Sequence, residues 1–205
     1  ITTVPFGENN RRPLDLLENA AIEYLVNPYN RKLTESQLCE LVSDFDVLIA
    51  GTEPITDEVM AQASKLKFIS RVGIGLDSVD LVAAKKRGIK ISYTPDAPAP
   101  AVAELTLGMI LTLLRSVHIS NLHIRTGKWE RILGRRLNNI TVGIIGVGRI
   151  GTHLLRCMSG FGKIRVLAND LIPKSQLNPE FNLEWVTKEE IYKEADLISL
   201  HLPLT

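Results

Sequence analysis

Three glycines in the second half of the chain, Gly146, Gly148 and Gly151, have a spacing that suits a phosphate-bearing ligand. A β-branched apolar run at 141–145 leads into them, and a helix-like segment at 152–161 follows. In such a turn the first glycine permits a tight bend, the second lets the backbone approach a pyrophosphate, and the third lets the helix pack closely on the strand. The N–H groups and the dipole at the helix start then face the phosphates. The motif therefore predicts a dinucleotide-binding site.

An acidic residue follows these glycines at the distance that such a site requires. A second apolar run at 164–168 ends at Asn169 and Asp170, and Asp170 lies about 20 residues beyond the glycines, where a carboxylate accepts hydrogen bonds from ribose hydroxyls. A negative charge there favours NAD over NADP, since a 2′-phosphate would meet a like charge. The alternative is a glycine turn in a βα unit that binds nothing, with Asp170 a plain carboxylate at a strand end.

The length, net charge, cysteine content and apolar stretches of the chain exclude several classes of function. With 205 residues and a formal charge of +1, the chain is long enough for two small cores and carries no basic signature for nucleic acid or membrane surfaces. Its two cysteines, Cys39 and Cys157, are isolated, which excludes a disulfide framework or a four-cysteine zinc site and fits the reducing cytoplasm. We assign no metal ligands. The chain begins without a charged leader and apolar signal core, and the apolar stretch at 105–114 is too short for a membrane span, so we expect neither targeting segment nor membrane helix.

The elements that must position these residues alternate along the chain. Capping residues precede apolar helical faces at Thr34, Thr56 and Ser78, and they predict three helix starts. Short apolar runs between the helices predict strands of a parallel sheet, and thus an α/β fold. The predicted strands of the first half lie at 1–4, 22–26, 47–50, 68–72 and 89–92.

The prolines at 95, 98 and 100 interrupt this alternation and disfavour helix immediately before them. We therefore predict a domain boundary here, with one domain at 1–97 and another at 98–205. The second domain begins with a long helix from Ala101 to about residue 125, which is apolar nearly all round. We therefore expect other parts of the protein to cover this helix on more than one side, and a partner subunit could supply part of that cover. The βαβ unit with the glycine turn follows it.

Five stretches together resemble the D-isomer-specific 2-hydroxyacid dehydrogenase family, and within it the 3-phosphoglycerate dehydrogenase branch. They are RVGIGLDSVD at 71–80, AVAEL at 101–105, GKWER at 127–131, the glycine turn at 146–151 and HLPLT at 201–205. The resemblance implies a flavodoxin-like, parallel-sheet substrate domain followed by a Rossmann-type, doubly wound NAD-binding domain. Only the first half of that second domain is expected in this chain.

The family's substrate carboxylate is held by backbone N–H groups of the loop after a strand, which correspond here to Val72, Gly73, Ile74 and Gly75. Two glycines at alternate positions let successive amides converge on an anion without a cationic side chain. The alternative is a glycine turn that serves chain reversal only. The resemblance also implies a homodimer that forms through the helix beginning near Ala101.

The family contacts its cofactor, NAD, at positions that correspond here to Arg149 and Ile150 at the helix start, to Asp170 at the ribose, and to His201, Leu202 and Pro203 beside the adenosine half. His201 is interpreted as part of this cofactor loop rather than as the acid–base group, because the family places its catalytic histidine much later.

The resemblance implies an NAD-dependent oxidoreductase that acts on the CH–OH group of a D-2-hydroxy acid, with 3-phosphoglycerate as one candidate. Such chemistry needs an arginine, a glutamate and a histidine that the family supplies downstream of HLPLT, so we assign no catalytic residue here and expect a polypeptide ending at Thr205 to be inactive. Glu53, after the third predicted strand, would repel a phosphate and argues against 3-phosphoglycerate. An NAD-binding corepressor-like module and an inactive truncated product are the alternatives. We also expect an exposed sheet edge near residues 198–200.

Overall fold

The computed structural model describes residues 1–203, apart from the side chains at 179 and 180. Leu204 and Thr205, the last two residues of the HLPLT stretch, lie outside the described residues. The chain divides into two compact units, Ile1–Ala97 and a second one from Pro98 onward. Each unit has its own parallel sheet, so the predicted α/β class is confirmed.

The first unit is built on a three-stranded parallel sheet in the order β1-β2-β3. In its register Ile69 lies opposite Leu48 on one side and Ile91 on the other. Leu48 and Ile69 are buried in one apolar cluster with residues of the helices, which explains why these short β-branched runs form strands. The elements are α1 (Arg12–Asn19), α2 (Glu35–Leu41), β1 (Val47–Ala50), α3 (Asp57–Gln62), β2 (Phe68–Arg71), α4 (Leu81–Lys86) and β3 (Lys90–Tyr93).

The helix starts of this unit were largely predictable from their caps. The hydroxyl of Thr34 accepts a hydrogen bond from the N–H of Gln37 in a capping box, and Thr56 caps α3 through the N–H of Val59. The third predicted start is wrong, because α4 is capped by Asp80 and not by Ser78. Asp80 lies three positions before Ala83, which is the spacing of an N-cap, and its carboxylate accepts the N–H of Ala83 at 2.9 Å, whereas Ser78 is two positions too early.

Two predicted strands, 1–4 and 22–26, do not form. The first of them runs beside β1, but it is joined to that strand by one backbone hydrogen bond, 2.9 Å from the N–H of Thr2 to the carbonyl of Ile49. A parallel strand needs the next bond of the ladder as well, in which the N–H of Gly51 would bond to the carbonyl of Thr2.

Side chains form hydrogen bonds with both the donor and the acceptor that this missing backbone bond would have joined. The N–H of Gly51 donates to the Glu53 carboxylate at 2.7 Å, and the carbonyl of Thr2 accepts from the side-chain amide of Asn27 at 2.9 Å. The Thr2 hydroxyl also bonds to Glu53. Polar side chains near a strand end thus compete with the sheet for its backbone groups, which an apolar pattern does not reveal.

The second unit has a four-stranded parallel sheet in the order β6-β5-β4-β7. Its strand order reverses at β4: the chain moves outward through β5 and β6 and then returns to place β7 on the other side. The elements are α5 (Ala99–Leu114), α6 (Val117–Arg125), β4 (Thr141–Ile145), α7 (Arg149–Ser159), β5 (Arg165–Asn169), α8 (Asn178–Phe181), β6 (Leu183–Trp185), α9 (Lys188–Glu194) and β7 (Leu197–Leu200).

Helices cover both faces of this sheet. Ile144 and Ala168 point into a large apolar cluster shared with α5 and α7, whereas Ile145 and Leu167 meet Ile191 of α9 on the opposite face. Alternate residues of the central strands are therefore buried on both sides, as in a doubly wound fold. In the described part of the sheet β7 is an edge strand with exposed apolar side chains, so the predicted edge near 198–200 is confirmed.

The predicted long helix is instead two helices. α5 ends at Leu114, Ser116 has a left-handed backbone conformation with φ 51°, and α6 follows at an angle of 66°. The carbonyl of Leu114 accepts a hydrogen bond of 2.9 Å from the N–H of Arg135, so the returning chain satisfies a group that helix continuation would have used. Within the described residues no single helix is long and apolar enough to cross a membrane, and α5 and α6 pass that test only as a bent pair.

Candidate functional site

The glycine turn of the second unit has the geometry that its sequence spacing requires. Gly146 has φ 94°, a conformation that other residues rarely adopt, and a side chain there would also strike the carbonyl of His201. A Cβ at Gly151 would collide with the carbonyl of Gly146, so this glycine lets α7 approach the end of β4. A Cβ at Gly148, in contrast, would meet nothing within 4 Å. The middle glycine therefore borders open space of the kind that a ligand backbone would need.

The start of α7 is suited to an anion. Gly148 is its N-cap, no side chain caps the helix, and no acidic residue lies in its first turn, which begins with Arg149 and Ile150. The helix has 11 residues, long enough for its dipole to favour negative charge at this end. The turn lies at the carboxyl end of β4, beside the point where the strand order reverses, which is where open α/β sheets bind their ligands.

Asp170 lies directly beside the glycine turn. Its Oδ2 accepts a hydrogen bond of 2.7 Å from the N–H of Val147, and its Oδ1 accepts a longer one of 3.3 Å from the N–H of Ile172. The preceding residue also holds the turn, since the carbonyl of Asn169 accepts from the N–H of Gly146 at 2.8 Å. The carboxylate thus has a function that the sequence did not suggest: it braces the turn, while its remaining lone pairs stay available to a ligand hydroxyl.

The end of β7 completes this group of residues. The N–H of His201 donates to the carbonyl of Ile145 at 2.9 Å, and the side chain of Leu202 lies close to Gly146. His201 Nε2 is 3.0 Å from the hydroxyl of Ser199, and partial burial of the imidazole lowers the pKa of His201 from its usual value. His201 thus lies beside the glycine turn, and its place in a cofactor loop stays a prediction. Pro203 is exposed at the end of the described residues.

Two apolar side chains beside Asp170 were not singled out from the sequence. Leu171 is 99% exposed and Ile172 is 77% exposed, although residues of this type are usually buried. They follow the carboxylate on the same loop, where a flat aromatic ring of a ligand would find apolar surface. The signal was present in the sequence as an apolar pair directly after the acidic strand end.

The first unit contains the loop at 72–75 that was predicted to bind a carboxylate. Two of the four backbone N–H groups of this loop already have hydrogen-bond partners within the protein. The N–H of Val72 donates to the carbonyl of Ala50 at 2.8 Å, and that of Gly73 donates to the hydroxyl of Thr94 at 2.8 Å. Within the described part of this unit the N–H groups of Ile74 and Gly75 have no hydrogen-bond partner. The four amides therefore do not converge as one set, and two of them remain as candidate anion donors.

A buried arginine lies next to this loop, although the sequence pattern called for no cationic side chain there. The Arg71 guanidinium is buried, with 7% of the residue exposed, and it bonds to the carbonyl of Val72. Its Nη1 would be 2.6 Å from a Cβ added at Gly73, and its Nε is buried without a hydrogen-bond partner in the described residues. A buried positive charge next to two open amides would favour an anion at this loop.

Glu53 does not act as the sequence suggested. The residue is only 2% exposed, and its carboxylate is turned inward to the N–H of Gly51 and the hydroxyl of Thr2. It therefore supports the backbone after β1 and does not present a charge to a substrate. The expectation that its side chain faces a substrate phosphate is therefore wrong, because sequence position alone does not show which way a side chain points.

The chain is similar to a family of known dehydrogenases over nearly its full length. It matches the family model described as D-isomer specific 2-hydroxyacid dehydrogenase, catalytic domain, over residues 8–199. It is 35% identical to a hydroxypyruvate reductase of Thermotoga maritima over 201 residues, which is 93% of this chain and 64% of the relative. It is 38% identical to a D-3-phosphoglycerate dehydrogenase of Methanocaldococcus jannaschii over 178 residues, which is 84% of this chain and 34% of the relative.

Solved structures give the same result. The TT0316 protein from Thermus thermophilus superposes with a TM-score of 0.86 at 35% identity, over 95% of this chain and 62% of that one. A D-lactate dehydrogenase from Aquifex aeolicus, complexed with NAD and lactic acid, gives a TM-score of 0.78 at 28% identity, over 96% of this chain and 59% of that one. The chain thus spans about one to two thirds of the length of these relatives.

Proposed function

Because the chain belongs to the D-isomer specific 2-hydroxyacid dehydrogenase family, we propose that the protein is an NAD-dependent oxidoreductase acting on the CH–OH group of a D-2-hydroxy acid. The observation that carries this proposal is the glycine turn with Asp170 beside it, at the reversal point of the second sheet. The open space over Gly148 and the uncapped start of α7 fit a pyrophosphate, and the half-buried Asp170 carboxylate keeps lone pairs that fit ribose hydroxyls.

In this proposal residues 98–205 bind NAD and residues 1–97 bind the acid. Gly146, Gly148, Arg149, Ile150 and Gly151 line the pyrophosphate, and Asp170 takes the ribose. The loop of His201, Leu202 and Pro203 borders the adenosine half, together with the exposed Leu171 and Ile172. The nicotinamide of bound NAD supplies hydride transfer, and the protein's own residues hold and orient the cofactor.

The substrate carboxylate is assigned to the loop of Val72, Gly73, Ile74 and Gly75. The N–H groups of Ile74 and Gly75 donate to it, while Val72 and Gly73 are held by the protein itself. The Arg71 charge beneath the loop adds to the attraction. Since Glu53 is turned away, a phosphorylated acid such as 3-phosphoglycerate remains a candidate beside unphosphorylated acids.

The test is a panel assay on the purified protein. NADH oxidation is followed with hydroxypyruvate, glyoxylate and pyruvate, NAD reduction with 3-phosphoglycerate, and NAD affinity is measured separately by fluorescence titration. Turnover of at least one acid is expected from a form of the protein that extends to the length of these relatives. Failure to bind NAD would overturn the proposal, whereas NAD binding without turnover would favour the corepressor-like or inactive alternatives.

The same panel tests the expectation that a polypeptide ending at Thr205 is inactive, since the family's arginine, glutamate and histidine are expected in the remaining length of the relatives. Turnover by that polypeptide would contradict it. A cytoplasmic location is part of this proposal and is checked by cell fractionation.

We also propose a homodimer that forms through the helix beginning near Ala101. Six apolar side chains of α5 and α6 are each more than half exposed, and a group of exposed large apolar side chains supports an interaction site. The residues are Leu105, Met109, Leu113, Val117, Leu122 and Ile124. The molar mass in solution, measured by light scattering, tests this assembly.

A further inference from the structure

The feature that carries a further inference is the way Thr94 holds Gly73. Thr94 follows β3 directly, and its hydroxyl accepts a hydrogen bond of 2.8 Å from the N–H of Gly73. Its own N–H donates to the carbonyl of Gly73 at 3.0 Å. One residue therefore binds both backbone polar groups of the glycine, across a gap of 21 positions in the chain.

Gly73 needs such a restraint. Its φ of 139° lies in the region that favours glycine, and glycine has the widest choice of backbone conformations. Without an outside partner the loop would sample other arrangements, and the amides that follow would point in several directions. Pre-organised donors bind an anion more tightly than mobile ones, because they lose less conformational entropy on binding.

The two bonds fix two successive peptide planes. A trans peptide is planar, so its N–H and C=O point to opposite sides. In the Val72–Gly73 peptide the N–H faces Thr94, and the carbonyl on the other side is held by the Arg71 guanidinium. In the Gly73–Ile74 peptide the carbonyl faces Thr94, which directs the N–H of Ile74 away from Thr94 and leaves it without a partner in the described residues.

We propose that Thr94 is a positioning residue for the substrate-carboxylate loop: by clamping Gly73 it aims the N–H of Ile74 at the carboxylate of the 2-hydroxy acid. This rests on the proposed function, because the loop's ligand is assigned there. Thr94 itself does not touch the substrate in this assignment. The hydroxyl is the part of the clamp that the side chain supplies, so a substitution can remove it while the backbone bond remains.

The test compares Thr94→Val, which keeps the shape but lacks the acceptor, with Thr94→Ser, which keeps the hydroxyl. In Thr94→Val we expect the KM of the 2-oxo acid to rise about tenfold while kcat changes less than about twofold, because the N–H of Ile74 that Thr94 positions would bind the carboxylate equally in bound substrate and transition state. NADH affinity should stay unchanged. Thr94→Ser should restore most of the wild-type KM.

The readouts separate this role from a merely structural one. Thr94 is exposed, so the valine variant is expected to fold, and its thermal unfolding is measured first. Should it not fold, Thr94→Ala takes its place in the same comparison. An unchanged KM in the valine variant, or an equally raised KM in the serine variant, would overturn the inference while leaving the proposed function in place. Wild type and variants are compared in the same form, one that extends to the length of the relatives, and absence of turnover by that wild type with every acid of the panel would overturn the proposed function, and this inference with it.

Discussion

Removal of the Asp170 carboxylate is the most informative perturbation of the cofactor site. The group has two expected functions: it braces the glycine turn through the N–H of Val147, and it accepts hydrogen bonds from the ribose of NAD. Asp170→Ala removes both. Asp170→Asn keeps an oxygen that can accept from Val147 but removes the negative charge, so the two variants separate the brace from the charge.

The size of the effect follows from the bonds that are lost. The bond from Val147 is 2.7 Å long, in the range of charge-assisted hydrogen bonds, whereas the bond from Ile172 at 3.3 Å is weak. Hydrogen bonds to charged groups each contribute about 1.5–3 kcal/mol, and part of this is regained when water solvates the freed N–H group. The proposed bonds from the ribose hydroxyls to Asp170 are of the same charge-assisted kind, so we expect Asp170→Ala to weaken NAD binding by about 2.8 kcal/mol, which is about a hundredfold in Kd.

NADP should respond differently. The wild-type carboxylate repels a 2′-phosphate, so Asp170→Ala relieves that repulsion and should weaken NADP binding less than about tenfold. Asp170→Asn should shift the preference in the same direction with thermal stability close to wild type, because the turn remains braced. Glu189→Gln is the matched control: it removes an exposed carboxylate from the first turn of α9 and should leave the ratio of the two affinities unchanged.

Fluorescence titration of each variant with NADH and NADPH measures these changes. An equal loss of affinity for both cofactors in Asp170→Ala would refute the assignment of Asp170 as the ribose ligand. A loss of thermal stability in Asp170→Asn as large as that in Asp170→Ala would refute its role as a brace.

Three further predictions address the turn, the assembly and the sheet. Gly148→Ala should fold as stably as wild type, since its Cβ meets only open space, but it should weaken NAD binding. Gly151→Ala should also lower the melting temperature, because its Cβ collides with backbone. Equal melting temperatures for the two variants would contradict this. Leu105→Lys should convert the expected dimer to a monomer in light scattering, and an unchanged molar mass would argue against an interface on α5. The pKa of Asp196 is lowered mainly by the hydrogen bond from the N–H of Thr141 and also by Arg135. The charged Asp196 therefore stabilises the fold above pH 3.8, and this stabilisation is lost as pH falls through the lowered pKa. Asp196→Asn should therefore melt below wild type at pH 6 and like wild type at strongly acidic pH, and a difference that persists in acid would contradict the reasoning.

The parts of this protein that could be predicted from sequence are those whose interactions lie close together in the chain. The glycine turn is the clearest case, because the roles of Gly146 and Gly151 depend on a bend and a strand–helix contact within ten residues. The caps at Thr34 and Thr56 are similar, since the hydroxyl and the N–H that it accepts from are three positions apart. Local steric and hydrogen-bonding rules suffice for such features.

Other features depend on partners from distant parts of the chain. The strand predicted at 1–4 fails because Asn27 and Glu53 take backbone groups that a ladder would have used. The long helix predicted from Ala101 is broken where the chain returns at Arg135 to bond with Leu114. Neither partner can be inferred from an apolar pattern, because the pattern reports burial and not hydrogen-bond competition.

The sequence by itself determined the α/β class, the dinucleotide turn and the acidic strand end beside it, because spacing and residue type are enough to specify them. Only the tertiary structure decided which groups are available for binding. It shows that Val72 and Gly73 are held while Ile74 is presented, that Glu53 faces inward, and that Asp170 braces the turn it serves. The reason is that a hydrogen-bonding group is free or occupied according to its neighbours in space, and those neighbours are set by the packing of strands and loops that are far apart in the sequence.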